Sequence, residues 1–381
     1  MSVGVCRIPS VDSNHQSPFK SVDFALHVLS FSYKKIDTGR WGRVSCRTMS
    51  PSPVTVVFAS DARGILPLSV AAWSVAEQAA QDTVCDICIL SDGIPDAEQE
   101  KLRALIRRAG ERHGVRFLNI DSVLPEGLMV MERWPRVAWA RVFLPDLLPE
   151  VHRAVYLDID TLTCTDLRPL VETDMGGAAL GVVLEHESHE GSHFNERLDI
   201  PQSCPGYFNS GVLLMDLDVF RREGLVQKVM DFAASHFSVL TCPDQDALNG
   251  ALCDKLFQLH PRWNWHDGLT RLILKKNPND KLWRGNSPVL SVEAALSPAV
   301  LHYQGKNKPW RYNHRIERER YEQSMLRAGL IKELPLPGFN WGDCLKRLLY
   351  RPMYALTWRR INALAAQLGA RRGEACGTAA S

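Results

Sequence analysis

The regular alternation of apolar and amphipathic segments from Val54 onward is the strongest constraint on how this chain can fold. Short apolar runs typical of strands are followed by longer runs with helical periodicity: VTVVFAS, ILPLSVAAWSVAEQA, VCDICILS, DAEQEKLRALIRRAGERHG and VRFLNI. In the second helical run, Leu102, Leu105, Ile106 and Ala109 form one apolar stripe. Strands that alternate with helices predict an α/β fold, in which helices cover both faces of a mostly parallel sheet.

Composition divides the chain into three segments. Residues 1–50 are polar and lack periodicity, so we predict either a disordered extension or a translation start at Met49. Residues 51–335 carry the strand–helix alternation and are predicted to form the folded domain, with ample material for a core. Residues 336–381 form a basic, amphipathic tail in which Lys and Arg are interleaved with Leu, Trp, Tyr and Met.

The composition also excludes several classes of protein. A formal net charge of +2 does not predict a nucleic-acid partner. The chain lacks the run of about 18 to 20 apolar residues that a membrane helix needs, and its start lacks the order of a signal peptide, so we expect a cytoplasmic protein. Cys85 and Cys88 would face opposite sides of one strand, and the ten cysteines are scattered. We therefore expect structural thiols rather than a zinc site.

Two carboxylates follow the apolar run AVYL, in the stretch AVYLDIDTLT. If this stretch is a strand, Asp158 and Asp160 project to the same face while Ile159 turns toward the core. At a separation of about 5 Å and an effective dielectric of about 20, their repulsion is on the order of 3 kcal/mol. A shared proton, a nearby Lys or Arg, or a divalent cation is needed to offset it.

The D-x-D pattern alone is a weak signal, because it recurs at residues 216–218 and 244–246. Asp218 precedes a helical run and is predicted to be its N-cap. The third occurrence, PDQDALNGAL, also begins a helix, so one of its acidic residues is a candidate cap. Gln245 and Asn249 stand one helical turn apart there and are expected to present their amides on one face.

Two chemistries fit the first pair. LDIDTLT resembles the D-x-D-x-T nucleophile loop of haloacid-dehalogenase-type phosphatases, but about 100 residues of α/β pattern precede it and no later strand ends in a clear acidic pair. In the other chemistry, a nucleotide-sugar transferase, the two carboxylates bind a divalent cation that neutralises a departing nucleotide diphosphate. We favour the transferase.

Five segments together carry a family resemblance: VVFASD, ARVFLPDLLPEVHRAVYLDIDTLTCTDLRPL, YFNSGVLLMDL, PDQDALNGAL and LHYQGKNKPW. In their order and spacing, from Val54 to Trp310, the chain resembles glycosyltransferase family 8, in particular bacterial lipopolysaccharide galactosyltransferases and glucosyltransferases. The resemblance implies the GT-A fold, and a retaining, metal-dependent transfer of galactose or glucose from a UDP-sugar to a saccharide acceptor.

The resemblance also assigns site residues by position. It implies a cation site for Mn²⁺ or Mg²⁺ held by Asp158, Asp160 and His302. It implies donor contacts from residues in four segments: Ala59 and Asp61 at the uridine, Arg141, Asn209 at the sugar, and Gly305 with Lys308 at the diphosphate. Lys308 is expected to stabilise the leaving group, and Asp244 and Gln245 to surround the transferred sugar. Gln245 is a poor nucleophile, but its amide dipole is suited to stabilising an oxocarbenium-like centre. This favours a transfer in which the acceptor attacks on the same face that the nucleotide leaves.

Two departures from the family pattern leave details open. Arg63 and Gly64 stand where the family has Asn and an aromatic residue, so the contact that stacks on the uracil is lost or supplied elsewhere. Glu185 stands where family members often have Asp, which leaves galactose and glucose as alternatives. A different class of function, a catalytically inactive relative that binds a sugar or a partner protein, is the main alternative to an enzyme.

The basic tail has two interpretations. It is either a closing helix packed on the domain or an interfacial segment that brings the enzyme to lipid-linked acceptors at the inner face of the cytoplasmic membrane. We favour the interfacial segment, because bacterial relatives build lipopolysaccharide cores. For the membrane interpretation, the residues expected to contact anionic lipid are Lys346, Arg347, Leu348, Leu349, Arg351, Trp358, Arg359, Arg360 and Ile361.

Overall fold

The computed structural model describes residues 52–122, 124–125, 136–185, 194–266, 287–305, 308–311, 317–333, 355–356, 358–367 and 369. The predictions made for residues 1–50, and for Lys346, Arg347, Leu348, Leu349 and Arg351 of the tail, fall outside this range. Among the described residues, no helix combines the length and the apolar character that crossing a bilayer requires.

A seven-stranded sheet forms the centre of the described chain. The strands are β1 (Val54–Asp61), β2 (Cys85–Asp92), β3 (Gly114–Asn119), β4 (Arg153–Leu157), β6 (Leu180–Val182), β7 (Val212–Asp216) and β8 (Leu256–Gln258), in the order β3-β2-β1-β4-β7-β6-β8. Only β7 runs antiparallel to its neighbours within this sheet. The prediction of a mostly parallel α/β sheet is therefore confirmed. Two short strands, β5 (Thr161–Thr163) and β9 (Val300–His302), form a separate antiparallel pair.

Helices lie between these strands in the chain, and the last one follows β9. They are α1 (Ile65–Gln78), α2 (Asp96–Ala109), α3 (Leu144–Leu147), α4 (Arg168–Val171), α5 (Phe194–Arg197), α6 (Leu217–Glu223), α7 (Leu225–His236), α8 (Pro243–Ala251), α9 (Pro288–Leu296) and α10 (Arg318–Arg327). Short 3-10 segments include Ala62–Gly64, Arg136–Phe143 and Phe237–Val239. The predicted stripe on α2 is buried at Leu102, Leu105 and Ile106.

Alternate residues of each central strand feed two different cores. Val57 of β1 and Tyr156 of β4 belong to one buried cluster, whereas Val56 and Val155 belong to the other. This alternation follows from the period of two along a strand. Because strands β2 and β3 lie on one side of β1 and β4 on the other, the chain reverses direction across the sheet between β1 and β4. The carboxyl ends of these two strands are the expected position of a ligand site.

The helix α6 begins at a different cap from the predicted one. Asp216, not Asp218, is the N-cap, and its side chain accepts a hydrogen bond of 3.1 Å from the Val219 amide. Asp218 lies in the first turn and pairs with Arg221 at 2.8 Å. The prediction for Asp218 was wrong because the strand β7 passes into the helix without an intervening loop. Its last residue therefore already occupies the capping position.

The cysteines are only partly as expected. Cys85 and Cys88 are buried free thiols in the two different cores, and burial raises the pKa of each to about 12, as befits inert structural thiols. Cys204 and Cys253, in contrast, are joined by a disulfide. The expectation of thiols is therefore wrong for this pair, because residues separated by 49 positions in sequence meet only in the folded chain.

A third buried cluster receives part of the tail. Residues 358–367 are helical, and Ile361 and Ala365 are buried in a cluster with Tyr321 and Met325 of α10. Trp358 packs against the same cluster. The expectation that Ile361 faces a membrane is wrong, because its side chain is completely covered by this domain. The described part of the tail supports the packed-helix interpretation for this face.

Reduction of the Cys204–Cys253 disulfide should lower the melting temperature by several degrees. Closing a loop of 49 residues restricts the unfolded chain by roughly 4 kcal/mol, and reduction removes that restriction. Thermal unfolding with and without dithiothreitol measures the shift, and Cys204→Ser should reproduce it and abolish the response to reductant. Cys164→Ser, at a free cysteine, is the matched control. An unchanged melting temperature in reductant would contradict the prediction.

Candidate active site

Two acidic side chains lie in the turn between β4 and β5. Asp158 and Asp160 follow the end of β4 instead of lying within a strand, so the expectation that a strand pleat aligns them is wrong. The turn is closed by Thr161, whose amide and hydroxyl both donate to the Asp158 carbonyl, at 3.1 and 2.7 Å. Ile159 packs against the core, as expected.

The pairing of β5 with β9 brings a histidine to the two carboxylates. Thr161 lies opposite His302 in this pair, and the Tyr303 amide donates to the Asp160 carbonyl at 2.9 Å. The Nε2 atom of His302 then lies 3.2 Å from an oxygen of Asp160 and 3.9 Å from an oxygen of Asp158. His302 is 142 positions from Asp160 in sequence, and a ladder of three residue pairs brings the two together.

This group fits a divalent cation. One ligand atom from each of Asp158, Asp160 and His302 lies within 4.8 Å of the others. The Nδ1 atom of His302 is 2.9 Å from the Asn264 carbonyl oxygen, a contact that leaves Nε2 directed at the carboxylates, as in metal-ligating histidines. A Cβ atom at Gly211 would approach His302 and Asp158 to 2.3 and 2.6 Å, so only glycine leaves room beside this group.

Positive side chains offset the repulsion between the two carboxylates. The buried Arg141 guanidinium contacts Asp158 at 2.9 Å and lies 4.3 Å above the ring of Tyr156. Lys308 pairs with Asp160 and donates to the Tyr303 carbonyl at 3.0 Å. Burial alone would raise the pKa of Asp160, but His302 and Lys308 hold it well below its ordinary value. Asp160 is therefore ionised and available as a ligand over the physiological range.

Asp244 at the start of α8 is buried beside the same arginine. Its carboxylate lies 3.2 Å from Arg141 Nε and 3.5 Å from the Ser210 hydroxyl. Burial raises its pKa above the ordinary value; Arg141 opposes this shift and the nearby charge of Asp158 adds to it. Arg141 thus bridges the acidic turn after β4 and the first turn of α8, two of the segments in which sequence analysis placed donor contacts.

Side-chain amides surround the next position of α8. The carbonyl oxygen of Gln245 accepts hydrogen bonds from the Ser210 amide at 2.9 Å and from Asn209 Nδ2 at 3.1 Å. Asn209 in turn accepts a hydrogen bond of 3.2 Å from Asn264, the residue that also contacts the histidine of the acidic group. Asn249 presents its amide one turn later and bonds both backbone groups of Phe208, so the expected shared face is confirmed.

The carboxyl end of β1 carries the residues assigned to uridine. Ala59 is buried, and Asp61 caps the short 3-10 segment through bonds to the amides of Arg63 and Gly64, at 2.9 and 3.2 Å. Asp61 also pairs at 2.6 Å with Arg63, whose side chain is 84% exposed. A Cβ atom on Gly64 would come within 2.7 Å of Ile159, so the glycine lets this turn approach the acidic pair. The predicted contact of Asp61 with a base stays a prediction.

The segment after β9 carries the residues assigned to the diphosphate. Gly305 has a φ of 77°, a left-handed conformation that favours glycine. Lys308 returns from this turn to the acidic pair. Glu185, the departure from the family pattern, accepts a hydrogen bond of 3.2 Å from Gln304 at the same turn.

Four contributors were missed from the sequence: Tyr156, Ser210, Gly211 and Asn264. Tyr156 could have been found, because it precedes Asp158 by two positions and its hydroxyl lies 3.1 Å from that carboxylate. Ser210 accepts hydrogen bonds from Arg141 at its carbonyl and its hydroxyl, at 2.7 and 2.9 Å. Gly211 contributes through the side chain that it lacks. Asn264 follows a stretch without any recognisable pattern, so the sequence did not predict its contact with His302.

A GT-A sheet with an Asp–Asp–His group at its carboxyl edge defines a nucleotide-sugar glycosyltransferase fold. The chain belongs to glycosyltransferase family 8, whose model, described as "Glycosyl transferase family 8", matches residues 55–314. This membership confirms the resemblance found in the sequence and excludes the haloacid-dehalogenase interpretation.

Similar proteins agree with this classification. The chain is 29% identical over 238 residues to general stress protein A of Bacillus subtilis, which covers 61% of this chain and 79% of that protein. It is 29% identical over 226 residues to lipopolysaccharide 1,2-glucosyltransferase of Escherichia coli, a match that covers 59% of this chain and 63% of that protein. The crystal structure of the galactosyltransferase LgtC, in complex with donor and acceptor sugar analogues, superposes with a TM-score of 0.62 at 27% identity. That match covers 74% of this chain and 98% of LgtC.

The replacement Lys308→Met should tighten Mn²⁺ binding in the absence of nucleotide by about five- to tenfold, because it removes a cation that competes for Asp160. Isothermal titration calorimetry with MnCl₂ measures the change. Lys332→Met, at a lysine of the 3-10 segment Ile331–Glu333 outside this group, is the control. Weaker binding of Mn²⁺ to Lys308→Met would show that Lys308 does not compete with the cation.

Proposed function

We propose that the protein is a retaining, divalent-metal-dependent hexosyltransferase that moves galactose or glucose from a UDP-sugar to a saccharide acceptor. The observation that carries the proposal is the bridge made by Arg141, which contacts both Asp158 and Asp244. A diphosphate beside the Asp–Asp–His group would place its attached sugar at the amides and carboxylate on α8. The Escherichia coli and Salmonella typhimurium relatives, a lipopolysaccharide 1,2-glucosyltransferase and a 1,3-galactosyltransferase, support a role in making surface glycans.

The chain's own residues would divide the work as follows. Asp158, Asp160 and His302 would hold the cation, which when bound, as Mn²⁺ or Mg²⁺, supplies positive charge to the departing diphosphate. Lys308 would leave Asp160 and place its ammonium on the same diphosphate, with the turn at Gly305 allowing it to approach. Ala59 and Asp61 at the end of β1 would contact the uridine.

Same-face transfer fits the state of the carboxylates on α8. Asp246 is completely buried and is bonded by Arg197, Tyr207 and the amides at 241 and 242, so it has no free oxygen with which to attack a sugar. Asp244 is held by Arg141. Neither carboxylate is placed as a nucleophile, whereas the Gln245 dipole lies between them and would steady an oxocarbenium-like centre. The acceptor would then attack on the face that UDP leaves, with retention.

The experiment that tests the function is release of UDP from UDP-galactose and UDP-glucose in the presence of MnCl₂. Asp160→Asn should lower turnover by at least about a hundredfold, because the amide keeps the shape but removes the charge that holds the cation. Asp218→Asn, at an exposed member of another D-x-D pair, is the matched control and should keep wild-type turnover. Absence of UDP release from a folded wild-type protein would favour an inactive sugar- or partner-binding relative.

We also propose that the tail makes peripheral contact with an anionic membrane, and so presents the site to lipid-linked acceptors. The helical residues 358–367 bury Ile361 and Ala365 but expose Arg359 and Arg360, so packing on the domain leaves a basic outer face. Leu356, at 55% exposure, precedes this face. Each arginine near an anionic surface contributes about 1 kcal/mol.

The double replacement of Arg359 and Arg360 by Gln should reduce binding to vesicles of phosphatidylglycerol and phosphatidylcholine by roughly thirtyfold, from the loss of about 2 kcal/mol. Sedimentation with vesicles at low and high salt measures it, and salt should weaken wild-type binding. Replacement of exposed Arg107 and Arg222 by Gln is the control of equal charge. If vesicle binding changes neither with salt nor with the tail replacement, the proposed membrane contact is wrong.

A further inference from the structure

A series of hydrogen-bonded side chains runs from the candidate metal ligand to the ion pair between the fully buried Asp246 and the partly buried Arg197. It passes from His302 through Asn264 and Asn209 to Gln245, with heavy-atom distances of 2.9, 3.2 and 3.1 Å. From Gln245 Nε2 it continues at 2.9 Å to the Tyr207 hydroxyl, which donates at 2.6 Å to Asp246. The proposed function assigns no role to the last two members, Tyr207 and Asp246.

The direction of every bond in this series is fixed by backbone amides. The Gly211 amide donates to the Asn209 carbonyl oxygen at 2.9 Å, and the Ser210 amide donates to the Gln245 carbonyl oxygen. Because a backbone N–H can only donate, both side-chain carbonyls must accept at these positions, and both NH₂ groups point along the series. Gln245 therefore donates to the Tyr207 oxygen, whose single proton is left for Asp246.

The hydrogen-bonded series ends at Asp246, whose carboxylate accepts every hydrogen bond that reaches it. Asp246 receives two bonds from Arg197, at 2.7 and 2.8 Å, and bonds from the amides of Thr241 and Cys242 at 2.6 and 3.0 Å. Each of these groups can only donate, and the Thr241 hydroxyl donates to the same carboxylate at 3.2 Å, so the environment of Asp246 favours the ionised carboxylate. Burial alone would raise the pKa of Asp246, yet these donors hold it below the ordinary value. The anion fixes which way the Tyr207 proton points.

We infer that Tyr207, anchored by Asp246 and Arg197, is a positioning residue that holds the amide of Gln245 in one orientation beside the donor sugar. The Ser210 amide holds the carbonyl end of Gln245, and Tyr207 holds the NH₂ end. Without the hydroxyl, the NH₂ group loses its acceptor at a partly buried position, and the side chain gains freedom to turn its dipole away. This inference rests on the proposed function, because it gives Gln245 a role in sugar transfer.

Arg197 connects this hydrogen-bonded series to another part of the polypeptide. It lies at the end of α5 and also donates to the Val239 carbonyl at 2.9 Å, beyond α7. The orientation of Gln245 thus depends on α5 and on the segment before α8, as well as on the loop before β7 that carries Asn209.

The test is a double-mutant cycle in UDP-hexose turnover with Mn²⁺. Tyr207→Phe removes one hydroxyl and should lower kcat about tenfold, the size expected for one hydrogen bond, with KM changed less than about twofold. In a Gln245→Ala background the same replacement should change kcat less than about twofold, because Tyr207 acts through Gln245. Binding of UDP, which lacks the sugar, should be unchanged by calorimetry. Tyr321→Phe, at a buried tyrosine of the third cluster, is the control.

The outcomes separate the two proposals. Equal falls in kcat from Tyr207→Phe in both backgrounds, or no fall in the wild-type background, would overturn the positioning role while leaving the function intact. Wild-type kcat in Gln245→Ala would instead contradict the role of Gln245, and the inference would fall with it. If Tyr207→Phe lowers the melting temperature strongly, the same cycle with Arg197→Lys decides, since lysine keeps the charge but cannot make both bonds to Asp246.

Discussion

The repulsion between Asp158 and Asp160 is the constraint on which the rest of the site depends. The turn after β4 places both carboxylates together, and each is matched by a cation from a distant segment: Arg141 from the 3-10 segment before α3, and Lys308 from beyond β9. Under the proposed function, a divalent ion would replace Lys308 at Asp160, and the displaced ammonium would then be available to a phosphate. The same residues would balance the charge both without the ion and during transfer.

The one reversed strand of the sheet gives the site its second half. β7 runs antiparallel between β4 and β6, so the loop that enters it, with Asn209 and Gly211, lies beside the carboxyl end of β4. An all-parallel sheet would have placed that loop at the opposite edge. The Asp158 amide donates to the Gly211 carbonyl at 2.8 Å, which joins the two halves through the backbone. The missing side chain at Gly211 is therefore as necessary as the charged ones.

Local sequence determined the strands, the helices and the identity of the charged residues, because periodicity and motif spacing act over a few residues. The α/β alternation and the buried stripe of α2 were accessible in this way. The grouping of Asp158, Asp160 and His302 was accessible only through the family resemblance. The cap at Asp216 was missed for a local reason, because β7 passes directly into α6. Contacts between segments that are distant in sequence were not accessible: the Cys204–Cys253 bond and the contact of Asn264 with His302. The burial of Ile361 has the same cause, since its amphipathic pattern does not state which surface covers it.

The disulfide has a consequence for the integrity of the chain. Cys204 and Cys253 enclose Tyr207, Asn209 and the whole of α8, together with the segment Phe237–Val239, where Phe237 is 41% exposed and Val239 38% exposed. A peptide bond hydrolysed within that exposed segment separates the loop that carries Asn209 from the helix that carries Gln245. The two fragments nevertheless stay covalently linked through sulfur. The nicked molecule would migrate as one species in a denaturing gel until a thiol reagent released its halves.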